Sequence, residues 1–128
     1  MMAQKVVDAI KRFQTELTGH APKVITDMWS DETLAVTLHE ALSPAEVVMS
    51  QNADGAARVQ EYHRRLFESS AIGPRKEINR ITGVTIRESA VEVETMTGAD
   101  VHAFTSAVMV QVFRLSSVIS AETWKNST

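Results

Sequence analysis

Four histidines, His20, His39, His63 and His102, are the residues that could hold a metal ion or relay a proton. They fall on a loop, a strand, a helix and a strand, and no HxH or HExxH spacing puts two on one local face. Glu40 beside His39 and Glu61 near His63 could join them only through tertiary proximity. Half-buried, hydrogen-bonded histidines are the plainer reading, and no metal is expected. Two acidic pairs, Asp31 with Glu32 and Glu92 with Glu94, are the candidates for acid–base work. The first sits in a turn, where aspartate satisfies turn geometry; the second shares one strand face and reads as a solvated edge. Nucleophilic catalysis finds no GxSxG elbow, and zero cysteines leave no thiolate. Phosphate cradles of the GxGxxG or GxxxxGK[ST] kind do not occur. Two weaker features remain. Arg64 and Arg65 on a helix, with Arg75 and Lys76 behind Gly73-Pro74 at a helix start, could bind an anion, although solvated charge accounts for them more simply. Trp29, Tyr62 and Phe104 could line a sheet–helix crevice, with core packing competing for all three.

Composition narrows the field further. At 128 residues, 44% hydrophobic and 23% charged, the chain has the makeup of one globular domain and not of a disordered segment. A net charge of −3 argues against a nucleic-acid partner, which calls for a basic face. The longest apolar run, Ala107–Val110, is four residues, against about 18 needed to span a bilayer, so no direct membrane insertion is expected. Lys5, Asp8, Lys11 and Arg12 interrupt any signal-peptide core. Cysteine-free composition fits a reducing compartment, and a cytoplasmic location is the expectation. Charge is uneven: the stretch from Arg58 to Arg80 is mainly basic, and that from Ile81 to Asp100 mainly acidic.

The elements that must position these groups are readable from spacing. Val6, Ile10, Phe13 and Leu17 make one face of an amphipathic helix over Met2–Leu17, closed by Gly19 and Pro22. Val24–Trp29 and Thr33–His39, around Ser30-Asp31-Glu32, read as a hairpin. Leu34, Val36 and Leu38 share one face of its second strand, and Val24, Thr26 and Met28 lie opposite Ile25 and Trp29 on its first. Ser43-Pro44-Ala45-Glu46 is a capping box with proline at the first helical position, so a helix begins there. Asn52-Ala53-Asp54-Gly55 interrupts it. A longer helix follows from Ala56 to Ser70, with Val59, Tyr62 or His63, Leu66 and Phe67 facing inward, and Ile72-Gly73-Pro74 breaks that one. A short helix then carries Ile78 and Ile81 to Gly83. A second hairpin closes the pattern: Val84–Val93 with a bulge near Glu88–Ala90, a turn at Thr95–Asp100, and a return strand over Val101–Val112. Only Ile119 and Trp124 could anchor the polar tail.

Several short motifs carry a resemblance through their order and spacing. They are Gly19-His20-Ala21-Pro22-Lys23-Val24, Ser30-Asp31-Glu32-Thr33-Leu34-Ala35-Val36 and Leu38-His39-Glu40-Ala41-Leu42-Ser43-Pro44-Ala45-Glu46. Thr82-Gly83-Val84-Thr85-Ile86 and Thr97-Gly98-Ala99-Asp100-Val101 with Phe104 follow. In that order and spacing they resemble one bacterial family of small domains, the MpsC family, with Ala21 and Ala41 standing where the family usually has glycine. The family takes its name from a proposed sodium-translocating, membrane-potential-generating system, so the resemblance implies a place beside membrane machinery and supplies no catalytic residue.

The expectation is an α+β domain over residues 1–115, in the order α-β-β-α-α-β-β, with a polar tail over 116–128. Its antiparallel sheet of two β-hairpins would carry the N-terminal helix and a long broken middle helix on one face. A small non-enzymatic accessory domain without cofactor, with a protein partner at the membrane, is the expected function. The alternative is a small-molecule or anion-binding module using the sheet–helix crevice or the basic middle helix. Ile25, Trp29, Phe104, Val108 and Val110 are expected to form an apolar patch that makes the chain a homodimer.

Overall fold

A computed structural model describes residues 2–94, 108–120 and 123–124. The expected turn at Thr95–Asp100, the first half of the return strand, His102 and Phe104 lie outside the described residues. The elements are α1 (Met2–Thr18), β1 (Val24–Ser30), β2 (Thr33–His39), α2 (Pro44–Met49), α3 (Ala53–Ser70), α4 (Ile72–Thr82), β3 (Ile86–Glu94) and β4 (Val108–Leu115). The broken middle helix is thus three helices, and the fold is the expected α+β arrangement.

Local chemistry sets each boundary. Ser43 caps α2 from an extended conformation, its hydroxyl accepting the Glu46 backbone N–H while Glu46 reaches back to the Ser43 N–H. Asn52 caps α3 by accepting the Gly55 N–H at 2.8 Å. Only Ala71 separates α3 from α4, because Pro74 falls in the first turn of α4, where no intrahelical N–H is required of it. Gly83 ends α4 at φ 75° with its N–H on Asn79. A β-carbon there meets no neighbour but strains the left-handed backbone, so Gly83→Ala should lose about 1 kcal/mol in a denaturant melt.

The four strands form one antiparallel sheet in the order β1-β2-β4-β3. A bulge falls between Ile86 and Glu88, at the start of the region where the parity of β3 predicted one. Leu34, Val36 and Leu38 of β2 and Met109, Phe113 and Leu115 of β4 point to one face. There they meet Val6 and Ile10 of α1, Val59 and Phe67 of α3 and Ile78 of α4 in a single core. Two residues of the tail join that core. Ile119 and Trp124 are buried, and the Trp124 ring N–H donates to Asp27 Oδ2 at 2.8 Å, tying the chain back to β1. The layers are helices over sheet, and no described helix lies on the other sheet face.

Candidate functional site

The register decides which side chains share the open face. Asp31 alone carries the hairpin connection into positive φ (51°), and the two-residue link pairs Ser30 with Thr33 and Trp29 with Leu34. Trp29 and Ile25, opposite Leu34 and Leu38, therefore face the helices and pack against the core. The buried Trp29 ring N–H finds no acceptor among the described residues. Val108 and Val110 face the other way, so the expected patch of Ile25, Trp29, Val108 and Val110 does not exist as one surface. Side chains of neighbouring strands share a face only when paired, and these are split by parity. Phe104 lies outside the described residues.

What the open face does carry is a set of cross-strand rows. One row runs Val24, His39, Val108, Glu94; the next, Thr26, Thr37, Val110, Glu92. Then come Met28, Ala35, Val112, Ala90, and last Ser30, Thr33, Arg114, Glu88. Arg114 donates to Glu88 at 3.1 Å across its row. Met28 is 72% exposed, Val24 is also open, and none of the three valines of β4 is buried, so no described helix covers this face. The sequence reading missed Met28 and Val112 as members of the patch. The length of the hairpin link was the signal that could have found Met28, because it sets the register.

The four basic candidates do not converge. Arg64 is held by Glu61 at 2.6 Å and Glu68 at 3.0 Å, and Arg65 by Glu61 at 2.8 Å, all on the exposed side of α3. Those guanidinium hydrogen bonds, Arg64 first and then Arg65, keep the Glu61 carboxyl below the usual carboxylate range. Arg75 donates through Nε and Nη2 to the Ser89 hydroxyl at 3.0 and 2.8 Å, joining α4 to β3, and Lys76 is exposed on α4. Three of the four therefore already have partners within the fold.

Two histidines, His20 and His63, behave as anchors, while His39 lies on the open sheet face. His20 Nε2 donates to the Glu40 carbonyl at 2.9 Å, tying the loop after α1 to the end of β2. His63, 2% exposed on its side chain, donates from Nε2 to Glu46 Oε2 at 2.6 Å, so the capping glutamate of α2 also clasps α3. Burial alone would raise the Glu46 carboxyl. The Ser43 backbone N–H, then the His63 ring and the Ser43 hydroxyl, outweigh it and hold the group below the ordinary range. Tyr62, the other candidate for the inward position, is exposed and meets the His63 ring edge-on. No group of three or more metal-ligating side chains occurs among the described residues.

Fold and surface together define a class: a small two-layer α+β domain with one sheet face that no described helix covers, in which His20 and His63 tie elements together. Over residues 1–107 the chain matches the family described as "Na+-translocating membrane potential-generating system (MpsC)", and it belongs to that family. No curated protein and no solved structure matches it. No helix among the described residues is long and apolar enough to cross a membrane.

Proposed function

We propose that this chain is a non-enzymatic accessory subunit of a membrane cation-translocating system and works by docking through its open sheet face, first onto a second copy of itself. The family description supports the setting, and the absence of a spanning helix among the described residues fits a peripheral role. The observation that carries the docking is the content of the rows. A twofold axis parallel to the strands lays β3 of one copy over β1 of the other. Each row then faces its own reverse. Met28 sits over Ala90, and Ala35 over Val112, so large meets small in both directions. Glu92 falls over Thr26 and Glu88 over Ser30, whose hydroxyls can donate to the facing carboxylates. The other in-plane axis would set Glu94 against Glu88, a like-charge pair, and is disfavoured.

Val110→Lys places a charge at the middle of this surface without touching the core. It should weaken self-association by about 100-fold or more while leaving the circular-dichroism spectrum that of a folded chain. In the native host, removing this chain should lower the sodium-dependent membrane potential read with a potential-sensitive dye. The wild-type chain should restore it and Val110→Lys should not. Equal restoration by both would refute docking through this face.

A further inference from the structure

A cavity of about 50 Å3 lies between the two layers, walled by Ile10, Phe13 and Leu17 of α1, Phe67 of α3 and Pro74 of α4. Gln14, Gln111 and Ser70 add polar groups to its lining. Gln14 is 5% exposed and Gln111 4%, and the Gln111 amide donates to Gln14 Oε1 over a long 3.4 Å. The same amide also reaches Met109 Sδ at 3.8 Å, while no hydrogen bond within the described residues engages the Gln14 amide N–H groups or the Gln111 carbonyl oxygen, and both side chains line the cavity. Polar groups that open on a cavity with apolar walls take their remaining hydrogen bonds from whatever occupies it.

We infer that this cavity is a binding site for a small uncharged molecule whose head group both donates and accepts a hydrogen bond, as a primary amide or a short alcohol does. No lysine, arginine or carboxylate among the described residues lines it, so a charged head would be desolvated without compensation there. The volume suits a few waters or a ligand of similar bulk. Entry lies at Leu17, 40% exposed in the last turn of α1, next to Phe13, whose ring closes on Gly73 so tightly that a β-carbon there would come within 2.8 Å of it. This site is on the helix-covered side of the sheet and is independent of the docking face.

The test uses the whole chain labelled with 15N and titrated to millimolar acetamide, with acetate as the charged probe of the same shape. Acetamide should shift the side-chain amide resonances of Gln14 and Gln111 saturably, and acetate should bind at least ~10-fold more weakly. Gln14→Leu/Gln111→Leu should remain folded and lose the acetamide response. Should that pair perturb folding, Leu17→Trp closes the mouth from a surface position and must abolish the response instead. No saturable shift, an equal response to acetate, or a response that survives these variants would overturn the assignment and leave a cavity that holds water only.

Discussion

Gly55→Ala should destabilise this protein by about 3 kcal/mol, an effect out of proportion to one methyl group. Gly55 stands in the first turn of α3, where its N–H is already taken by the Asn52 cap. The chain leaving α2 folds back across it, and an added β-carbon would be driven into the carbonyl oxygen of Met49. Backbone cannot swing away as a side-chain tip can, so α2 must unwind or α3 must shift. Gly73→Ala is the comparison. There the β-carbon meets the Phe13 ring edge at 2.8 Å, and a ring can rotate, so a loss of about 1 kcal/mol is expected. Urea melts of the two variants check the ranking. A Gly55→Ala loss within about 0.5 kcal/mol of wild type would mean that the α2–α3 corner is not closed as described.

Glu46→Ala should be comparably severe, at about 3 kcal/mol, because one carboxylate serves two structures. It completes the capping box of α2 and accepts the buried His63 N–H. Removing it uncaps the helix and strands a buried imidazole. Adding His63→Leu to the same chain should recover a substantial part of the loss, since the stranded group is then gone. The pH dependence follows from the direction of the Glu46 shift. With the folded carboxyl below its unfolded value of about 4.3, its stabilisation is complete above that pH and is lost as pH falls through the lower folded value. Glu46→Gln retains a capping side chain but does not titrate there, so its acid melt should be shallower than that of wild type between about pH 5 and pH 3.

Much of this architecture is legible in the residues. Val6, Ile10, Phe13 and Leu17 specify α1, the Ser43–Glu46 box starts α2, and Gly83 stops α4, because periodicity and caps are local physics. The β3 bulge shows in the parity change between Ile86 and Val91. Orientation of the apolar patch was legible only in part. Alternation correctly divided β1 into Val24, Thr26, Met28 and Ile25, Trp29, but which set met the helices depends on pairing with β2, a non-local choice. The two-residue link at Asp31–Glu32 settles that choice once it is taken as the whole turn. The roles of Glu46 and of the Gln14–Gln111 pair were hidden for a different reason. Each depends on a partner far along the chain, 17 residues away for His63 and 97 for Gln111, and no local spacing announces it.

Self-association through the open face is the claim on which the functional account turns, and sedimentation velocity on the wild-type chain at micromolar concentration tests it most directly. The account predicts a species of twice the 14.1 kDa chain mass that Met28→Lys and Val110→Lys each reduce to a folded monomer. A wild-type chain that sediments as a 14.1 kDa monomer across that range would contradict it.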